Sequence, residues 1–84
     1  MRVSVISAER SVFDGEATAV VAPAYDGLVG ILPRHAPFMT LLGKGVVQIH
    51  RSEGTKKVEV AGGVLQVGSD VVRIVARSAY ATDT

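Results

Sequence analysis

The sequence contains no cysteine and no tryptophan, and its only aromatic rings come from two tyrosines, two phenylalanines and two histidines. Without cysteine, neither a disulfide nor a thiolate metal site supports the fold, and no residue points to an oxidising compartment. The tyrosines and phenylalanines are scattered, whereas an oligonucleotide-binding barrel needs them together on a basic face. An oligonucleotide-binding barrel is therefore disfavoured.

Net charge and long apolar runs are also missing. Nine basic and eight acidic side chains leave a formal charge of +1, so the clustered positive surface of a nucleic-acid-binding protein is absent. Uncharged runs such as residues 17–25 are much shorter than the roughly 20 apolar residues that span a bilayer. Arg2 is followed by alternating residues rather than by a signal peptide. We expect a soluble protein that reaches a membrane only through a partner.

What the sequence does have is valine. Hydrophobic residues make up 48% of the 84 positions, and 15 of them are valines, which favour a pleated, half-buried surface. Turn residues recur every eight to twelve positions, and no segment shows helical periodicity. This pattern predicts a single all-β domain, either a β-sandwich or a small barrel.

Several local signals place the strands and turns. Asp14-Gly15 predicts a two-residue hairpin turn, and Pro23 predicts the end of a strand over residues 17–22. Valines alternate with charged residues over residues 57–60, and Gly62-Gly63 predicts a kink just after them. We expect the domain to cover residues 1–79 and residues 80–84 to form a frayed tail.

No motif for catalysis is present. His35 and His50 stand outside any metal-ligand spacing and are interpreted as turn or surface histidines. Gly43-Lys44 lacks the earlier glycine of a phosphate-binding loop, and no serine sits in a nucleophile elbow. We therefore expect a protein that is not an enzyme and that holds neither a metal nor a cofactor.

Residues 26–37, with the sequence Asp-Gly-Leu-Val-Gly-Ile-Leu-Pro-Arg-His-Ala-Pro, form the most distinctive segment. One interpretation is a stiff connection between strands; the other is a contact surface, since a rigid loop loses little entropy on binding. Leu28 and Val29 between two glycines favour the contact surface, because exposed apolar side chains suggest that a partner covers them.

Three motifs in order give the chain a family resemblance. Val-Phe-Asp-Gly-Glu-Ala at residues 12–17, the segment at residues 26–37, and Val-Glu-Val-Ala-Gly-Gly-Val-Leu-Gln-Val at residues 58–67 resemble the N-terminal domain of the epsilon subunit of F-type ATP synthases. The likeness extends from about residue 3 to residue 79. It implies a β-sandwich of two antiparallel five-stranded sheets.

The resemblance also implies a function and partners. In that family the domain joins the gamma subunit to the membrane c-ring, and the central stalk of the rotor carries torque to the catalytic alpha–beta head, which epsilon contacts only indirectly. It implies a non-catalytic coupling subunit in ATP synthesis driven by hydrogen ion transport. The expected location is peripheral, on the cytoplasmic face of the bacterial inner membrane.

Site residues follow by position. Asp26, Gly27, Leu28 and Val29 match the loop that faces the c-ring, and the resemblance places Ser7, His35 and Thr40 on the side facing gamma. The family often has a carboxylate where this chain has Leu28, so the ring contact is expected to be more apolar or to involve Asp26.

The resemblance is to a short form of the subunit. Many bacterial members continue into a C-terminal helical hairpin that can insert into the head, inhibit ATP hydrolysis and in some members bind ATP, whereas this sequence ends at Thr84. Either the chain is one of the short members that lack the hairpin, which is the preferred interpretation, or the sequence is one domain of a longer subunit. A short member is expected to show no self-inhibition by helix insertion.

A lipoyl- or biotinyl-type carrier domain is the main alternative. It is also a small β-sandwich rich in valine and glycine, but it needs a modified lysine at a hairpin tip. Lys56 and Lys57 lie beside the turn at residues 53–55, without the flanking residues of a carrier motif.

Overall fold

The computed structural model describes residues 1–8 and 10–82, and every regular element in them is a β-strand. The all-β prediction is therefore confirmed. The seven strands are β1 (Arg2–Ser7), β2 (Ser11–Glu16), β3 (Ala19–Ala24), β4 (Gly27–Ile31), β5 (Phe38–Arg51), β6 (Gly54–Gly68) and β7 (Val71–Thr82).

The strands form one continuous hydrogen-bonded ladder in the order β2-β1-β7-β6-β5-β3-β4. Neighbouring strands are antiparallel except for β1 and β7, which run parallel and pair Arg2 with Val71 through to Ser7 with Ala76. The prediction of purely antiparallel sheets is thus wrong at this pair. The chain closes the fold by placing its last strand beside its first.

Three of the strands are too long to be straight. β6 has 15 residues, which at about 3.3 Å per residue would extend roughly 50 Å, yet the longest dimension of the domain is 27 Å. Gly43 of β5, Gly62 of β6 and Arg77 of β7 lie side by side, and none of them has a partner in the register. The strand pairing is therefore interrupted at the same level in all three long strands. β5, β6 and β7 each bend at this level.

The bend divides the ladder into two layers of five strand segments. The first layer contains β2, β1 and residues 71–76, 63–68 and 38–42; the second contains β3, β4 and residues 44–51, 54–61 and 78–82. Two separate five-stranded sheets were predicted, whereas the structure has one sheet whose three long strands are shared by both layers. The difference arises because residues 62 and 63 are glycines that bend the strand without ending it.

The core lies between the two layers. Ile74 and Leu65 of the first layer and Ile49 and Val58 of the second belong to one cluster of fully buried side chains. The alternation predicted around Val58 is confirmed, since Val58 and Val60 are buried while Lys57 and Glu59 are exposed. Packing between the inner faces of the two layers therefore explains why every second residue in this part of β6 is apolar.

The hairpin turn predicted at Asp14-Gly15 is wrong. Asp14 and Gly15 lie within β2, opposite Ser4 and Val3, and the Asp14 carboxylate forms an ion pair with Arg2 at 2.8 Å. The chain reverses earlier, where the Ser7 amide donates to the Arg10 carbonyl at 2.9 Å. Pairing with β1 therefore overrides the local turn preference at Asp14-Gly15.

Pro23 does not end its strand. β3 continues to Ala24, and Pro23 is buried opposite Leu28 of β4. On its other side the register with β5 shifts between Val21 and Ala24, so the missing proline amide removes no ladder bond there.

The last strand extends past the predicted end of the domain. Residues 80–82, expected in a frayed tail, pair with β6, where Tyr80 faces Glu59 and Thr82 faces Lys57. Asp83 and Thr84 of the predicted tail lie outside the described residues, as does Glu9.

Substitutions at two glycines test how the bend between the layers is built. Gly63 has a φ of +129°, and a Cβ there would stand 2.1 Å from the Val75 carbonyl oxygen. Gly54 has nearly the same φ, +127°, with open space around it. Gly54→Ala should lower the free energy of unfolding by about 1–3 kcal/mol through backbone strain alone. Gly63→Ala should cost clearly more, because the backbone of β7 must also move.

Urea unfolding of the two variants checks this, with Gly30→Ala as a near-neutral control because Gly30 has open space and no positive φ. Equal losses for Gly54→Ala and Gly63→Ala would contradict a role for close strand contact at the bend.

Candidate interaction surfaces

The segment predicted to face the c-ring lies at the turn between β3 and β4. Tyr25 and Asp26 form the turn, Gly27 takes a φ of +134° that favours glycine, and the Tyr25 amide donates to the Leu41 carbonyl at 3.1 Å. Asp26, Gly27 and Leu28 are exposed, Leu28 to 75%.

The prediction that Leu28 and Val29 occupy a loop tip is only partly right. Both belong to β4, which is an edge strand of the ladder. Val29 lies opposite buried Ala22 and packs against the core, so its side chain faces inward. Leu28 is thus the exposed apolar residue of this segment.

The turn at residues 33–37 is held at its base by Asp70. Arg34 has a φ of +65°, and its amide donates to Asp70 Oδ1 at 3.0 Å. Asp70 Oδ2 also lies 3.7 Å from the N-terminal ammonium. The His35 ring lies 5.0 Å from the Phe38 ring, and its Nδ1 is 2.8 Å from the Ala36 carbonyl oxygen. His35 is exposed, on a turn that several contacts define.

Ser7, His35 and Thr40 do not form one cluster. Two strands lie between β1 and β5, so Ser7 and Thr40 are separated by three strand spacings, or roughly 14 Å. Thr40 is half-buried opposite buried Leu65, and Ser7 lies opposite Ala76 at the bend. All three belong to the first layer or its connections, and they are spread across it.

The structure shows an apolar surface that sequence reasoning missed. Leu41 of β5 faces Val64 of β6, Val64 faces Val75 of β7, and Val75 faces Ile6 of β1. We call these four residues the outer row, since they cross the outer face of the first layer. Leu41, Val64 and Val75 are 60%, 36% and 43% exposed, and exposed Met39 lies beside the row.

A second open surface lies beside β2 and the hairpin that joins β5 to β6. A cleft of about 500 Å³ is lined by residues that include Phe13, Glu16 and Arg51, with the Arg51 guanidinium 5.8 Å from the centre of the Phe13 ring. Hydrogen bonds from its own backbone amide and from the Ser52 hydroxyl, with the charge of Arg51, lower the pKa of Glu53. No group of three metal-ligating side chains occurs within residues 1–8 and 10–82.

The features required by the alternative functions are not brought together. Lys56 and Lys57 lie within β6 and pair with Ile49 and Gln48, while Ser52 and Glu53 occupy the hairpin tip where a carrier lysine would stand.

In the described part of the chain, no helix is long and apolar enough to cross a bilayer.

Comparison with known proteins agrees with the architecture. A family model described as the ATP synthase delta/epsilon chain β-sandwich domain matches residues 1–82. The ATP synthase epsilon chain of Nitrosococcus oceani is 44% identical over 80 residues, covering 94% of this chain and 57% of the relative. That of Leptospira borgpetersenii is 42% identical over 74 residues, covering 88% of this chain and 58% of the relative. The chain thus spans less than two thirds of these relatives.

Two solved structures share the fold at low sequence identity. A chain of the Euglena gracilis mitochondrial ATP synthase, in a structure of OSCP, F1 and the c-ring, gives a TM-score of 0.86 at 20% identity, covering 94% of this chain and 51% of its own. A chain of the Tetrahymena thermophila mitochondrial ATP synthase central stalk and c-ring gives 0.77 at 16% identity, covering 95% and 65%. With the family model spanning residues 1–82, this chain belongs to the β-sandwich domain family of ATP synthase delta and epsilon chains.

Proposed function

We propose that this chain acts as a central-stalk subunit of an F-type ATP synthase, linking the gamma subunit to the membrane c-ring. The observation that carries the proposal is the family match over residues 1–82, together with epsilon-chain relatives at about 40% identity. The role is mechanical: the subunit couples proton-driven rotation to ATP synthesis in the alpha–beta head and catalyses no step itself. Its place is peripheral, at the cytoplasmic face of a bacterial membrane.

The c-ring contact is proposed at Asp26, Gly27, Leu28 and Val29. Leu28 supplies the exposed apolar side chain and Asp26 the charge, while Val29 anchors the segment to the core. An edge strand fixed by a backbone hydrogen bond from Tyr25 presents these groups with little entropy to lose on binding.

The gamma contact is proposed on the first layer. The outer row provides a contiguous apolar surface that crosses four strands, and such surfaces commonly mark interfaces. Ser7, His35 and Thr40 lie on strands or turns of the same layer. Because Ser7 and Thr40 pair with buried Ala76 and Leu65, their side chains face away from the outer row, and a partner that contacts all three residues has to wrap around the edges of the layer.

The most direct test is purification of the chain with a gamma subunit from the same cell, followed by assembly with the alpha–beta head. Stable 1:1 association with gamma is expected, and its absence would contradict the proposed function.

Leu28→Lys tests the ring contact. Because Leu28 is 75% exposed, the substitution should leave the free energy of unfolding within about 0.5 kcal/mol of the original. In the assembled enzyme in vesicles, it should reduce the proton pumping obtained per ATP hydrolysed, since a cation, opposite in sign to the family's usual carboxylate, enters an apolar contact.

Leu32→Lys is the matched control, because Leu32 is 64% exposed and follows the other end of β4. Equal proton pumping by both variants would argue against a ring contact at Leu28.

Val64→Lys tests the outer row as the gamma contact. A charge at the centre of an apolar interface should weaken binding to gamma about tenfold or more, equivalent to at least about 1.4 kcal/mol. Calorimetric titration of gamma, or of the gamma segment that co-purifies, measures the change.

Val46→Lys serves as the control for this change. Val46 is 37% exposed against 36% for Val64, but it lies on the outer face of the second layer, opposite Glu59. If the two variants bind gamma equally well, gamma does not cover the outer row.

A further inference from the structure

A second open cleft lies where the two layers meet, at the end of the outer row. It has a volume of about 340 Å³ and is lined by Ser7, Arg10, Arg77, Ser78, Ala79 and Tyr80. The lining therefore includes two arginines and three residues with hydroxyl groups, of which the Ser7 hydroxyl already donates to the Arg10 carbonyl.

Both arginines are placed by the backbone. The Arg10 carbonyl accepts hydrogen bonds from the Ser7 amide at 2.9 Å and from the Ser7 hydroxyl at 3.4 Å, which fixes the turn that carries Arg10. Arg77 lies over Gly62, where a Cβ would stand only 3.1 Å from Arg77 Cδ. Gly62 therefore makes the space for the stem of Arg77 at the bend.

The cleft is positively charged. None of the lining residues within 1–8 and 10–82 carries a carboxylate, whereas Arg10 and Arg77 carry a guanidinium each. The ion pairs found between described side chains involve Arg2 and Arg51, whereas Arg10 and Arg77 have none with residues 1–8 or 10–82. Within that part of the chain, both guanidinium groups therefore lack a carboxylate partner.

The cleft is continuous with the outer row. Ser7 directly follows Ile6, and Arg77 lies two residues after Val75, so the cationic cleft begins where the apolar side chains end. An apolar area bordered by two arginines is typical of the core and rim of a protein interface.

We propose that the Arg10–Arg77 cleft receives a carboxylate side chain of the gamma subunit, on the segment that covers the outer row. The inference rests on the proposed function and adds the chemistry of the partner. An exposed pair of arginines holds a free anion weakly, because water and salt screen it. A carboxylate carried by a protein already seated on the outer row arrives at a high effective concentration. Guanidinium and carboxylate then match in geometry as well as in charge.

Charges at the rim of an interface act mainly on the association rate and its salt dependence. Arg77→Glu should therefore slow association with gamma about tenfold at low salt, with a smaller effect at high salt. Arg10→Glu should act in the same direction, and Arg77→Lys should recover part of the rate because it keeps the charge.

Stopped-flow or surface-based kinetics of gamma binding, at two ionic strengths, make the test. Lys57→Glu is the control: it makes the same change in net charge at an exposed position on the outer face of the second layer. Circular dichroism and urea unfolding establish that the variants fold equally well. The expected result is a slower, less salt-dependent association for Arg77→Glu than for Lys57→Glu.

The outcomes separate the two proposals. If the unmodified chain fails to bind gamma, the proposed function fails. If it binds and the association rate of Arg77→Glu equals that of Lys57→Glu at both ionic strengths, only the carboxylate proposal is overturned. Micromolar binding of inorganic phosphate to the isolated chain, lost in Arg77→Glu, would also overturn it, in favour of a small oxyanion ligand.

Discussion

The close approach of two backbones at Gly63 is the constraint on which this fold depends. No side chain fits there, since a Cβ would stand 2.1 Å from the Val75 carbonyl oxygen. Because the strands touch at this level, β5, β6 and β7 bend together and each serves both layers. Seven strands thereby supply ten segments, enough for a two-layered core in a chain of 84 residues. A small domain buries a limited share of its surface, so shared strands are an economical way to enclose one.

The bend also places the proposed contact surfaces. The outer row is separated from the break by one level, formed by Leu42, Gly63, Ala76 and Ser7, and the Arg10–Arg77 cleft lies at the break itself, where Gly62 leaves room for Arg77. Both surfaces are consequences of how the strands cross between layers. A substitution that shifted the bend would therefore disturb binding as well as stability.

Sequence reasoning succeeded where the signal is local. The alternation at Val58 and Val60 predicted the buried face and Gly62-Gly63 predicted the kink, whereas of Leu28 and Val29, both expected to be exposed, only Leu28 is. It failed at Asp14-Gly15, where pairing with β1 outweighs a turn preference. The outer row was not predicted, because a row exists only once the register of four strands is known. One signal was present: Leu41-Leu42 and Val64-Leu65 are apolar on both faces of their strands, as expected when both are covered.

One hydrogen bond joins the proposed c-ring contact at residues 26–29 to the outer row. Leu41 contributes its side chain to the outer row, and its carbonyl accepts the amide of Tyr25, the residue that begins the turn before Leu28. A load applied at the turn is thus passed to β5 through the backbone, and from β5 to β6, β7 and β1 through the ladder. Ladder bonds and a close-packed core resist deformation, whereas a flexible linker between two sites would absorb the motion. For a subunit proposed to hold gamma to a rotating ring, this direct backbone connection supplies the stiffness that transmission of torque requires.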